Sequence, residues 1–276
     1  SYTSTLYNKV TPFGHGIYTT TEKVPKNYWY IKRIRLFYAD KKEIDIMRLN
    51  SLNYPCDFYV TPETEYIINE YYKAKYNYID SYIYKTKISE FDEFIENSMN
   101  YSDVRQKKTQ KAKINLLVGT FGARNYIKKQ YLLKNDNLII KELYAEKAKA
   151  YYPIWIFVVA NGLLNIYQKI KNHLDDIYYI NTDGILCNHQ LYSTQNILGN
   201  FELRRYYLKI NIKNIGDYIG EYLEDTGQVK TDVVMSGRIY DKNDIYGLTE
   251  IPSYLLYRNN YGFIYARPYT SEDSQR

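Results

Sequence analysis

Asp183 stands in the run Tyr178-Tyr179-Ile180-Asn181-Thr182-Asp183-Gly184-Ile185-Leu186. Apolar residues flank a polar turn, and the turn offers a carboxylate. Carboxylate oxygens are hard ligands that suit Mg²⁺, and phosphoryl transfer between two cations needs at least two such groups from different strands. The same letters also write an ordinary Asn-Thr-Asp-Gly β-turn between two strands. A second set is Lys107-Lys108-x-x-Lys111-x-x-x-Asn115-x-x-x-Gly119. At helical spacing Lys108, Lys111 and Asn115 share one face. A lysine there could hold nucleotide phosphates as a point charge, or it could belong to a plain solvated basic face. A third set is the stretch from Arg124 to Lys149, which contains Lys128 and Lys129 and interleaves tyrosines with basic residues. With 36 tyrosines in the chain, the interleaving carries little information and the charge carries the signal.

That charge is concentrated. The 276 residues have a formal net charge of +6. Between Val104 and Lys149 twelve basic residues stand against three acidic ones, a local +9, so the rest of the chain is net acidic. One region is written to face a polyanion. Hydrophobic residues at 45% and charged residues at 25% are ordinary for a globular protein and exclude a disordered or collagen-like chain. Cys56 and Cys187 are too few for a disulfide framework, and two free thiols fit a reducing compartment. Neither belongs to a Cys-x-x-Cys pair, and His15, His173 and His189 are scattered, which argues against a structural zinc site. The longest apolar run, Ile154 to Ala160, is too short to span a bilayer, and no signal peptide opens the chain. Phosphate-loop, dinucleotide-binding, nucleophile-elbow and His-Glu-x-x-His patterns are absent.

The elements that must position these residues follow from patterning. Residues 1–60 read as extended, with a strand at Tyr28–Tyr38, a turn at Asp40-Lys41-Lys42 and a return strand from Glu43 to Leu49. Thr11-Pro12-Phe13-Gly14 reads as punctuation. Pro62 after Thr61, with Glu63 and Glu65 behind it, opens a helix in residues 62–80. Tyr76 to Lys85 is strand-like, and a helix starts at Ser89 and runs to about Met99. Residues 104–122 form one basic helix ended by Gly119 and Gly122. Tyr131 to Ile140 is a hairpin turning at Lys134-Asn135-Asp136-Asn137. Pro153 to His173 is an apolar helix, followed by the hairpin that carries Asp183. Beyond 198 the pattern is strands and short helices, and Thr270 to Arg276 reads as a frayed end.

The order of these signals is more specific than any one of them. A basic Lys-x-x-x-Asn-x-x-x-Gly helix, a basic hairpin, an apolar helix and a Tyr-x-x-Thr-Asp hairpin follow in turn. This resembles the palm, fingers and thumb of family B DNA polymerases, especially the protein-primed phage and plasmid type. The family's fingers motif is Lys-x-x-x-Asn-Ser-x-Tyr-Gly; Lys111-Ala112-Lys113-Ile114-Asn115-Leu116-Leu117-Val118-Gly119 keeps Lys, Asn and Gly and loses Ser and Tyr. The family's metal-binding hairpin is Tyr-x-Asp-Thr-Asp-Ser; Tyr179-Ile180-Asn181-Thr182-Asp183-Gly184 has asparagine in place of the first aspartate.

The resemblance implies an α+β fold: an antiparallel palm sheet with helices on one face, helical fingers and a small thumb. It implies palm with a priming-protein-docking insertion over 1–86, fingers over 87–123, a basic hairpin insertion over 124–150, palm again over 151–200 and a thumb-like region over 201–276. It assigns Lys111 to nucleotide phosphates, Asn115 to the nascent pair and Asp183 to metal binding and catalysis with Mg²⁺ or Mn²⁺. Pro12-Phe13-Gly14 matches a Pro-aromatic-Gly turn that follows the family's Asp-x-x-Ser-x-Tyr-Pro motif. Tyr2 then falls on the tyrosine under the nucleotide sugar, and the motif's aspartate falls upstream of Ser1. Lys107, Lys108, Arg124, Lys128, Lys129, Arg204 and Arg205 are expected on DNA. Gly216-Asp217-Tyr218 stands where the family's Lys-x-Tyr holds the primer end, without the lysine. The expected protein is the C-terminal part of a split or truncated family B DNA polymerase in a host-cell cytoplasm, with no membrane partner. DNA, a second polypeptide with the exonuclease domain and the missing aspartate, and a terminal priming protein are its expected partners. The alternatives are a catalytically inactive relative that binds DNA or protein, and an unrelated basic binding protein.

Overall fold

The structure, a computed structural model, describes residues 2–99, 104–122, 127–134, 137–144, 151–181, 184–192, 200–214, 217–234, 239–240, 250–251, 254–258 and 263–268. In chain order the elements are α1 (Tyr2–Leu6), β1 (Val10–Thr19), β2 (Tyr28–Tyr38), β3 (Cys56–Val60), α2 (Pro62–Glu70), β4 (Lys75–Ile88), α3 (Asp92–Met99), α4 (Val104–Phe121), β5 (Ile127–Lys134), β6 (Asn137–Tyr144), α5 (Tyr152–Ile170), β7 (Ile177–Asn181), β8 (Gly184–Cys187), β9 (Tyr207–Asn214), β10 (Asp217–Leu223), β11 (Val229–Val234), β12 (Ile239–Tyr240), β13 (Glu250–Ile251), β14 (Tyr254–Arg258) and β15 (Phe263–Pro268). They fall into two compact units, one of residues 1–123 and 148–203, the other of residues 124–147 and 204–276.

In the first unit an antiparallel sheet runs β1-β4-β2-β3. Along β2 Trp29 is buried before the register shift at Arg33–Ile34, and Ile34 and Leu36 are buried, in alternation, after it. Helix α5 is the spine of the unit. Its Ile154, Phe157 and Val158 join Leu6, Trp29, Ile95 and Val118 in one core. Its Tyr167 joins Ile34, Val60, Ile67, Ile68 and Tyr72 in a second, and its Ile166 and Ile170 meet Ile177 in a third. A helix apolar on nearly every side is thereby buried on nearly every side.

Thr61 caps α2 in a box, its hydroxyl accepting from the Thr64 amide at 3.4 Å while Thr64 Oγ1 accepts from the Thr61 amide at 2.8 Å. The Pro62 signal of the sequence was therefore sound, but α2 stops at Glu70, short of residue 80. Thr61→Ala is expected to cost about 1 kcal/mol, read from the urea midpoint.

Three further expectations are corrected. Residues 2–6 are helical, not extended. Glu43 to Leu49 is not the return strand: Asp45 accepts from the amides of Leu49 and Asn50, both at 2.8 Å, folding the segment back on itself, and Cys56–Val60 pairs with β2 instead. Pro12-Phe13-Gly14 does not end a strand. It lies within β1, where the register with β4 shifts between Phe13 and Ile17. Gly14 takes a φ of 75° there and its carbonyl accepts from Tyr151 Oη at 2.7 Å. Burial pushes the Tyr151 phenol up to about 12, so it stays a donor. Gly14→Ala forces an L side chain into left-handed backbone and is expected to destabilise by about 1–2 kcal/mol, measurable by chemical denaturation.

The second unit is β among its described residues, where strands and short helices were expected. One antiparallel sheet runs β11-β10-β9, another β14-β15-β5-β6, and β12 pairs with β13. The 131–140 hairpin is longer than its sequence signal: β5 and β6 pair from Ile127 with Tyr144 to Lys134 with Asn137. No described helix is long and apolar enough to cross a membrane.

Candidate nucleic-acid and nucleotide site

The hairpin expected to carry Asp183 is formed. Ile180 pairs with Ile185 and Asn181 with Gly184. Thr182 and Asp183, between those paired ends, lie outside the described residues. The hairpin is a two-stranded ladder of its own, seated through Ile177, Ile180, Ile185 and Cys187 on Ile166 and Ile170 of α5.

At the hairpin's other end three polar residues meet. A 3₁₀ turn, Leu174–Asp176, links α5 to β7. His173 stacks on His189 with ring centroids 3.9 Å apart and planes 18° from parallel. His189 Nδ1 lies 3.8 Å from Asp176 Oδ2. Ligand atoms of His173, Asp176 and His189 all fall within 4.8 Å of one another. The expectation that the scattered histidines leave no zinc site rested on sequence distance. The hairpin cancels that distance for two of the three.

Helix α4 sorts its faces by burial. Ile114 and Val118 are buried, and Phe121 packs edge-on against Phe91 with centroids 5.7 Å apart. Asn115 and Gly119, one turn apart, are both exposed. A Cβ added at Gly119 would meet no atom within 4 Å. Gly119 thus lies in the last turn of α4, which ends at Phe121 just before Gly122, and packing does not require a glycine there. Lys111 lies one turn before Asn115 on the backbone of the same face. At Gly122 an added Cβ would overlap the Trp155 ring of α5, so this glycine does serve packing. Along α5, Val158 packs on α4 and Ile166 on the hairpin. The eight steps along the chain from one to the other space the two by about 12 Å along the helix axis.

The remaining expected residues are dispersed. Tyr2 opens α1, and Lys107 and Lys108 lie in the first turns of α4. Lys128 and Lys129 occupy β5, opposite Leu143 and Glu142. Arg124 lies outside the described residues. Arg204 is exposed. Arg205 is already engaged: its guanidinium pairs with Asp232 and sits 4.2 Å from the Tyr222 ring centroid. Tyr207 donates to the same Asp232 at 2.9 Å, and Gly220 leaves room for its ring. Gly216 lies outside the described residues, and Asp217 begins β10.

A two-cation centre needs carboxylates from more than one strand. The described end of the hairpin offers the Asn181 amide, a weaker ligand than the family's aspartate. Asp175 and Asp176 belong to the opposite end. The described residues do not by themselves make a two-metal site.

An α+β chain with these elements in this order has the fold of part of a DNA polymerase. Among the solved structures it matches are several of Phi29 DNA polymerase, which is of the protein-primed type that the motif order resembles. The complex with primer-template DNA superposes with a TM-score of 0.72 at 20% identity, over 86% of this chain and 48% of that one. The complex with single-stranded DNA gives 0.74 at 21%, over 88% and 49%. The ternary complex with primer-template DNA and incoming nucleotide gives 0.70 at 20%, over 87% and 49%. The chain thus spans about half the length of these polymerases. No family model matches the sequence, and no curated protein does.

Proposed function

We propose that this chain is the polymerising half of a protein-primed family B DNA polymerase. It would bind primer-template DNA and need a second polypeptide to complete its metal centre. The observation that carries the reading is the fold match over nearly the whole chain to a polymerase solved with primer-template DNA and incoming nucleotide. Lys111 serves the nucleotide's phosphates, and Asn115 and the bare surface at Gly119 admit the nascent pair. Tyr2 lies under the nucleotide sugar. Asp183 supplies one carboxylate for Mg²⁺ or Mn²⁺, and the second comes from the partner polypeptide, which also carries the exonuclease domain. Lys107, Lys108, Arg124, Lys128, Lys129 and Arg204 neutralise DNA phosphates. Arg205 braces the β9–β11 sheet through Asp232 and reaches DNA only as part of that sheet. The segment 26–86 receives a terminal priming protein.

The loss of the first aspartate at Asn181 favours a second reading, a retired polymerase that binds DNA without catalysis. Titration of a labelled primer-template over a range of salt tests both against an unrelated binding protein. The account expects affinity that falls steeply with salt. No binding at low salt would overturn both polymerase readings.

A further inference from the structure

We infer that His173, Asp176 and His189 form a binding site for a single transition-metal ion of the zinc class, which clamps the base of the β7–β8 hairpin. Three consecutive segments deliver the ligands. His173 follows α5, Asp176 ends the 3₁₀ turn, and His189 follows β8. A 3₁₀ turn has three residues per revolution, so positions 173 and 176 are eclipsed on one side. Antiparallel pairing then brings the residues after β8 alongside Asp176, whose carbonyl accepts from the Asn188 amide at 3.1 Å. The backbone of His173 and Asp176 is also tied. Asp176 N donates to His173 O at 3.0 Å, and His173 N donates to Ile170 O at 2.7 Å. The ligand-bearing backbone is therefore organised before any ion arrives, and the partly exposed rings of His173 and His189, stacked without the ion, turn out of parallel to converge on it.

Two imidazoles and a carboxylate are a donor set for Zn²⁺ and not for Mg²⁺, which prefers an all-oxygen octahedron. The three residues are partly exposed, which leaves an entry path and a fourth position for water. The Cys187 thiol donates to the His189 carbonyl at 3.1 Å and is not needed as a ligand. The site sits at the opposite end of the hairpin from the Asn181–Gly184 pair. Its role is to fasten the hairpin to α5, and it stands or falls independently of the polymerase reading.

The test is calorimetric titration of the full chain with Zn²⁺, with Co²⁺ absorption as a report on ligand type and thermal unfolding in parallel. The inference expects one Zn²⁺ per chain and a higher melting temperature with Zn²⁺. His173→Ala or His189→Ala should weaken binding by more than the roughly 10–100-fold that loss of an outer partner costs. Asp176→Asn, which keeps the backbone hydrogen bonds and the fold, should weaken binding too, while His15→Ala should bind as the parent does. Affinity should fall with acidification, since each imidazole must be neutral to ligate. Zn²⁺ bound equally well by His173→Ala and Asp176→Asn, or no Zn²⁺ bound by a folded parent chain, would overturn it.

Discussion

Reversing two charges together, Lys128→Glu with Lys129→Glu, is expected to lower affinity for primer-template DNA by at least about 60-fold at 0.1 M salt. Each lysine that neutralises a phosphate contributes about 0.9 to the slope of log affinity against log salt, so the pair accounts for about 1.8 of it. The same titration should therefore show both a weaker constant and a flatter slope. The two lysines lie in β5, within a region of local charge +9 set in a chain whose total is only +6. Lys41→Glu removes the same kind of charge from an exposed position outside that region and should change the slope little. Equal loss from the Lys41 change would mean that net charge, not the basic strip, governs binding.

The largest expected effect on stability belongs to Trp29. Its ring is buried, between Tyr84 of β4 at 5.9 Å and Phe157 of α5 at 6.0 Å. Its indole N–H donates to both oxygens of Glu63 at 3.2 Å. One side chain thus joins the sheet, α2 and α5. Trp29→Ala leaves a cavity and takes a donor from a part-buried carboxylate, and about 3–5 kcal/mol is expected to be lost. That is a large share of the roughly 5–15 kcal/mol that holds a domain together. Trp29→Phe keeps most of the ring, and Glu63 keeps Asn161 Nδ2 at 3.2 Å, so its cost should be nearer 1–3 kcal/mol. Urea unfolding followed by circular dichroism measures both. A near-neutral Trp29→Ala would mean that the three elements do not depend on this contact.

Elements with strong local chemistry were legible in the sequence. Pro62 behind Thr61 wrote the start of α2, and the apolar period of residues 153–173 wrote α5. The Asn-Thr-Asp-Gly letters wrote the hairpin whose ends pair at Asn181 and Gly184. Elements fixed by tertiary contacts were not. The segment after Asp40 has strand-like letters, but Asp45 satisfies the amides of Leu49 and Asn50 and pulls it out of the sheet. Gly14 reads as a chain break, yet a single residue at positive φ bends β1 without ending it.

In the candidate site, the shared face of Lys111, Asn115 and Gly119 followed from helical spacing. That Gly119 faces open space and Gly122 faces Trp155 could only come from packing. The His173–Asp176–His189 cluster carried a usable signal that linear spacing hid. A hairpin centred between residues 182 and 183, with a one-residue register shift between Ile177 and Tyr179, sets positions 176 and 188 across from each other and brings His189 beside them, whatever the distance along the chain.

The proposal to be tested is that this chain holds DNA as a polymerase does and takes part of its metal centre from a second polypeptide. Extension of a labelled primer-template by the chain alone, in Mg²⁺ or Mn²⁺, with Asp183→Ala beside it, tests that most directly. The account predicts no extension by either protein, with the primer-template still bound in a salt-sensitive way. Extension by the parent chain that Asp183→Ala abolishes would contradict it, because a second carboxylate would then have to lie within these 276 residues.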